Sequence, residues 1–194
     1  MSEVVLVRHG ETEWSRNGQH TGTTDIDLSP TGRKQAEQLA RVLQGWTFVT
    51  TLTSPLRRAA ETCRLAGSVD AETRDDLREW DYGIYEGRTT AAIRAERPGW
   101  SLWRDGAPEG ETAQDVGKRA DRVIAQLRSI AGDVAVFGHG HSLRVLAARW
   151  VGLPPATGER LALDTATVSV LGHERETPVI RSWNVGCERT GRLC

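Results

Sequence analysis

Two stretches, far apart in the chain, place histidine one residue beyond an apolar run. Arg8-His9-Gly10 follows Val4-Val5-Leu6-Val7, and His139-Gly140-His141 follows the run from Val134 to Phe137. A third run, Phe48 to Thr53, leads into Ser54-Pro55-Leu56-Arg57-Arg58. Histidine and arginine together suit phosphoryl chemistry. A guanidinium is a rigid fork of donors that matches phosphate oxygens. A protonated histidine adds a donor for charge building on the equatorial oxygens, while a second, neutral histidine can attack phosphorus in line. Nearby arginines help that second role, because positive neighbours favour the neutral imidazole. Glycine at position 10 leaves the backbone room to approach a substrate.

The elements that must bring these groups together follow from the pattern. Val4 to Val7 and Val134 to Phe137 read as strands buried on both faces, and Phe48 to Thr53 as a further strand. Ser29-Pro30 looks like an N-cap and first helical residue, with Ala36, Leu39, Ala40 and Leu43 following at helical spacing, so 29–44 is expected to be a helix. Helices are also expected over 56–66, 112–130 and 142–151. The stretch 73–110 should be loops with a short helix over 89–96, and late strands are expected at 161–163, 167–171 and 179–183. Alternating strands and helices imply an α/β domain, and ligands in such sheets bind beyond the carboxyl ends of the strands. His9, His139 and the arginines after Ser54 are then expected at one rim.

The residues also carry a resemblance. Leu6-Val7-Arg8-His9-Gly10-Glu11-Thr12 resembles the signature of the histidine phosphatase superfamily, the phosphoglycerate mutase-like proteins. Ser54 to Thr62 resembles the family's second block, Leu77-Arg78-Glu79-Trp80-Asp81-Tyr82-Gly83 with Glu86-Gly87 the third, Gly110-Glu111-Thr112 a short block at the pocket rim, and Phe137 to Arg144 the fourth long one. The blocks run in the family's order from residue 4 to about residue 144.

The resemblance implies a three-layer α/β/α sandwich with a mostly parallel central sheet, as one domain over 1–194. It implies His9 as the nucleophile, Arg8 and Arg58 as phosphate clamps, His139 as a donor and Glu79 as the acid that protonates the leaving oxygen. Arg58 is selected over Arg57 because it directly precedes alanine. The stretch Trp14 to Gly22 is similar to the acid-phosphatase and sugar-bisphosphatase branch, with Ser15 where mutases carry asparagine. Ser15 is thus implied as a phosphate donor and Thr21 and Gly22 as pocket residues. The segment between Glu79 and His139 is short and lacks the paired arginines with which mutases hold a carboxylate, which favours hydrolysis over mutase action. A mutase, or a non-catalytic phosphate-binding module, are the competing readings. No metal or cofactor is implied.

Blander readings stand beside these. His9 on its own fits a histidine fixed at a strand end, and His139 with His141 fits a metal pair. His20 and His141 are pocket-wall candidates that equally suit plain structural roles. Tyr82 fits a pocket wall or packing under a lid. Glu11 is more often an orienting residue than an acid, and Arg57 suits a solvated helix position. Arg144 reads as a structural contact.

The 194 residues are 38% hydrophobic and 26% charged, ordinary for a globular protein. A formal charge of -1 gives no general attraction to nucleic acid. Cys63, Cys187 and Cys194 have no disulfide-like or zinc-like spacing, which suits free thiols. With no apolar run near the length of a membrane span and no leader-like core, a cytoplasmic protein is expected, acting on a small phosphate ester. The late strands offer an edge for a homodimer.

Overall fold

The computed structural model describes residues 2–186. The expected thiols at Cys187 and Cys194 lie outside them, while Cys63 is free and buried, and burial pushes its thiol pKa up to about 12. In chain order the elements are β1 (Val4–Arg8), α1 (Glu13–Arg16), α2 (Pro30–Leu43), β2 (Phe48–Thr53), α3 (Arg57–Leu65), β3 (Glu72–Thr73), α4 (Thr90–Glu96), α5 (Leu102–Asp105), α6 (Ala113–Ser129), β4 (Asp133–Gly138), α7 (Gly140–Trp150), β5 (Thr167–Glu174) and β6 (Thr177–Gly186).

The strands form one sheet in the order β3-β2-β4-β1-β5-β6. The first four are mutually parallel, and β5 and β6 add an antiparallel edge. Strand side chains alternate between faces, and the continuous apolar runs of β1 and β4 fill both. Val4, Leu6, Val134 and Val136 join the core beneath α6 and α7. Val5, Val7, Ala135 and Phe137 join the opposite core, with Leu39 and Leu43 of α2 and Cys63 of α3. Helices therefore cover both faces. This is the expected mostly parallel α/β/α arrangement.

Local signals explain the helices that set the rim. Ser29 caps α2 by accepting from the Gly32 amide at 3.0 Å, with Pro30 at the first helical position. Gly10 and Gly32 are both required where this helix meets the turn after β1. A Cβ on Gly10 would lie 2.3 Å from the Gly32 carbonyl oxygen, and one on Gly32 would lie 2.0 Å from that of Glu11. The space that glycine opens at position 10 is thus taken by α2, not left for a substrate.

Three expectations need correction. Residues 161–163 are not a strand: the Ala162 carbonyl accepts from Trp183 Nε1 and the Leu163 carbonyl from Arg8 Nη1, so these acceptors serve side chains instead of a ladder. α7 begins at Gly140, not Ser142, because the Glu79 carboxylate accepts the amides of His141 and Ser142 and completes a first turn that glycine alone would not favour. The stretch 73–110 is also more regular than expected, with α5 and two 3₁₀ turns besides α4. Among the described residues no helix is long and apolar enough to cross a membrane.

Candidate active site

β1, β2 and β4 end on the same side of the sheet, beside one cavity lined by Arg8 and His9 at the end of β1 and by Gly140 and His141 after β4. β1 delivers Arg8 and His9, with the His9 amide bonded to the Gly138 carbonyl at the end of β4 at 3.0 Å. β4 delivers His139, whose ring centroid lies 5.2 Å from that of His9. β2 leads through Ser54 into α3 and Arg58. The cavity has a volume of about 260 Å³, and its wall includes Arg8, His9, Ser15, His20, Thr21, Glu79, Tyr82 and His141.

His9 is 5% exposed. Its Nδ1 lies 2.7 Å from the Gly10 carbonyl, so Nδ1 carries the proton and Nε2 is left with a free lone pair. Burial, then the charges of Arg58 and Arg8, hold its pKa well below the usual histidine value. The same causes, burial first and then Arg58, lower His139. Arg58 Nε donates to His139 Nδ1 at 3.2 Å, which makes Nε2 the protonated nitrogen, donating to Ser54 Oγ at 2.7 Å.

Arg58 is wholly buried. Nη1 donates to the Thr24 carbonyl and Nη2 to those of Thr21 and Gly22, each at 3.0 Å. Glu86 shapes that loop: its Oε1 accepts from the amides of Gly22 at 2.8 Å and Thr24 at 3.2 Å. Glycine is needed at 22, since a Cβ would lie 2.4 Å from the Trp80 carbonyl oxygen. Arg58, His139 and Gly22 thus sit behind the wall. Glu11 is outside it too, its Oε1 accepting from Ser29 Oγ at 2.7 Å.

Glu79 is 7% exposed, and it is the one carboxylate among the residues that line the cavity. Oε1 accepts from the amides of Trp80 and Ser142, both at 2.9 Å, and Oε2 from that of His141 at 3.0 Å. Arg119 secures the segment, donating to the Glu79 carbonyl at 3.1 Å while paired with Glu111 at 2.8 Å. Glu111 therefore anchors the acid-bearing segment and is not itself in the cavity wall. Ser15 forms a capping box with Thr12, and its hydroxyl donates to the Thr12 carbonyl at 2.9 Å.

On the far side, the Tyr82 hydroxyl lies 2.7 Å from His141 Nδ1. Burial raises Tyr82 well above its usual pKa, so it keeps its proton and donates. Burial lowers His141 and His20, leaving both neutral. Arg57 takes the exposed helix position expected of it. It pairs with Asp27 at 2.9 Å and with Asp25, tying the loop before α2 to the start of α3. Sequence reasoning missed Gln19, Thr90 and Arg144 as wall residues, since each comes from a loop or helix whose course spacing does not reveal.

A lowered His9 pKa has a sign that can be measured. The neutral imidazole persists below the ordinary value of 6.5, so any turnover that uses the His9 lone pair is expected to stay level from about pH 7.5 to about pH 5.5. A fall centred near 6.5 would contradict this. Stability moves the other way. The unfolded chain takes up the protons that the folded histidines refuse, so stability is complete above 6.5 and lost as pH falls below it.

Fold and site together define an α/β protein with a cationic, histidine-bearing cleft at the carboxyl ends of parallel strands. The chain belongs to the histidine phosphatase superfamily (branch 1), whose family model matches residues 4–186. It is 43% identical over 175 residues to an acid phosphatase of Mycobacterium tuberculosis, covering 88% of this chain and 86% of that protein. It is 39% identical over 185 residues to a sedoheptulose 1,7-bisphosphatase of Saccharomyces cerevisiae, covering 77% of this chain and 67% of that protein. A solved structure of a Mycobacterium tuberculosis open reading frame product superposes with a TM-score of 0.92 at 39% identity, covering 96% of this chain and 98% of the other.

Proposed function

We propose that this protein is a metal-independent phosphomonoesterase that hydrolyses phosphate esters of small polar metabolites, of the sugar-phosphate or phosphoglycerate kind, through a phosphohistidine intermediate. The observation that carries the reading is the tautomer of His9. Its Nδ1–H is tied to the Gly10 carbonyl, which leaves the Nε2 lone pair as the nucleophile near the charges of Arg8 and the buried Arg58. Arg8 holds the transferring phosphoryl group, and Arg58, fixed by the 21–24 carbonyls and by His139 Nδ1, adds its charge from directly behind the cavity wall.

In the first step Nε2 bonds to phosphorus as the P–O ester bond breaks, and Glu79 gives a proton to the leaving oxygen. In the second, Glu79 takes a proton from water, which attacks phosphorus and breaks the P–N bond. Gln19, Thr21 and Thr90 present neutral polar groups to the leaving group, which suits hydroxylated substrates over apolar ones. The two relatives named as phosphatases support hydrolysis.

The test is inorganic phosphate release in excess EDTA from p-nitrophenyl phosphate, sugar phosphates and 3-phosphoglycerate. Release is expected, and interconversion of phosphoglycerates without release would favour a mutase. Glu79→Gln is expected to slow sugar esters at least about tenfold more than p-nitrophenyl phosphate, whose leaving group scarcely needs a proton. Equal losses would remove Glu79 from the acid role.

A further inference from the structure

The segment from Ala162 to Ala166 is held from two sides. One side is the phosphoryl site. The Leu163 carbonyl accepts from Arg8 Nη1, and the Ala166 amide donates to the His9 carbonyl at 3.0 Å. Leu163 also lines the cavity. Ala166 has a φ of 51°, a left-handed conformation that costs a residue other than glycine free energy. The segment therefore does not reach this geometry by its own preference, and outside contacts must impose it.

The other side is a bulge in β6. Val168 pairs with Val185 and Val170 with Ser182, so Trp183 and Asn184 together oppose Ser169. Asn184 has a φ of 57°, which asparagine tolerates better than most residues. Its amide donates to Oγ of the wholly buried Ser169 at 2.9 Å. Both bulge side chains reach the segment. Trp183 Nε1 donates to the Ala162 carbonyl. Asn184 Oδ1 accepts from the Asp164 amide at 2.7 Å, and its Nδ2 donates to Asp164 Oδ2 at 2.9 Å. This reciprocal pair fixes the residue that follows the Arg8 acceptor and lies two before the His9 donor. It also occupies the Asp164 carboxylate. Desolvation lowers the Arg8 pKa, and the charges of Glu79, Tyr82 and Asp164 oppose it, so an Asp164 carboxylate released from Asn184 would be free to compete with a bound anion. The residues that line the cavity do not include Trp183 or Asn184.

We propose that Asn184 is a positioning residue for phosphoryl transfer: through Asp164 it holds the 162–166 segment so that Leu163 aims Arg8 and Ala166 fixes His9. The proposal rests on the phosphomonoesterase reading and gives the end of β6 a part in it. Asn184 touches no reacting atom, and its effect passes through two backbone groups.

The test measures inorganic phosphate affinity by calorimetry, and kcat/KM on p-nitrophenyl phosphate and a sugar phosphate, in wild type, Asn184→Gly and Asn184→Asp. Enzyme is counted by the calorimetric stoichiometry, so unfolded protein does not enter the comparison. Glycine keeps the left-handed turn and removes both side-chain bonds. Aspartate keeps an acceptor for the Asp164 amide but sets two carboxylates together. Both variants are expected to bind phosphate about tenfold more weakly and to lose about 30-fold in kcat/KM, within the roughly 10²-fold that a 1 Å misplacement can cost. The loss should be equal on the two esters, because Glu79 and its amide donors stay in place. Combining Asn184→Asp with Asp164→Asn exchanges donor and acceptor in the pair and is expected to recover most of both. A role in stability alone would lower the thermal midpoint of Asn184→Gly and leave its phosphate affinity and kcat/KM at wild-type values, and that result would overturn the proposal. Failure of wild type to hydrolyse either ester would sink the phosphatase reading instead, and the phosphate affinities would still decide whether Asn184 positions Arg8.

Discussion

His9→Ala is expected to reduce kcat by about 10⁵-fold, the scale on which enzymes lose turnover when their covalent nucleophile is removed. The loss should be confined to chemistry. The His9 side chain makes one hydrogen bond, to the adjacent Gly10 carbonyl, so its removal leaves no distant group unpaired. Arg8 and Arg58 remain, and the variant should still bind orthovanadate. The thermal midpoint should also lose its share of the acid sensitivity, because a buried neutral histidine no longer resists protonation. Turnover within about tenfold of wild type would exclude His9 as the nucleophile.

Arg58→Ala is expected to cost both stability and activity. The guanidinium serves the carbonyls of Thr21, Gly22 and Thr24 and the Nδ1 of His139, all in a site without solvent access to Arg58 itself. Truncation strands these acceptors, and each buried unsatisfied group costs about 1–3 kcal/mol, partly offset because the buried charge is gone. A net loss of about 3 kcal/mol in urea unfolding is expected. Activity should fall about 10³-fold, because the positive charge behind the phosphoryl site and the 21–24 loop beside it are lost together. Arg58→Lys should rescue little of either, since one ammonium cannot reach four acceptors spread around a planar fork. A variant of native stability and turnover would show that the loop from Thr21 to Thr24 does not depend on Arg58.

The contrast between Arg58 and Arg57 shows what the sequence conveys. Their adjacency says nothing of burial, and only resemblance separates them. In the fold Arg58 is wholly buried against the 21–24 loop, while Arg57 turns outward to Asp25 and Asp27. The sheet was legible because β1 and β4 are continuous apolar runs buried on both faces, a pattern few other elements produce. Residues 161–163 mislead because Leu161, Ala162 and Leu163 have strand-like composition, yet their carbonyls are captured by Arg8 and Trp183 from far along the chain. The convergence of His9, Glu79, Tyr82 and His141 on one cavity follows the order of the blocks that carry the family resemblance, whereas strand ends alone put His139 and Arg58 at the rim, and both sit behind the wall. The wall supplied by Gln19, Thr90 and Arg144 was not, because it depends on how a loop and two helices fold over the rim. Glu86 and Glu111 illustrate a further limit. Both are acidic residues in recognisable blocks, but their work is to hold backbone amides and Arg119, which only coordinates reveal.

The central claim is that the phosphoryl group passes through His9, and rapid acid-free quenching of turnover followed by peptide mass spectrometry tests it most directly. During hydrolysis of a slow sugar phosphate in EDTA, the account predicts a phosphoryl adduct on the peptide carrying His9. That adduct should be stable to base, labile to acid and absent from His9→Ala. Steady phosphate release with no adduct on His9, under conditions where Glu79→Gln also fails to accumulate one, would contradict it.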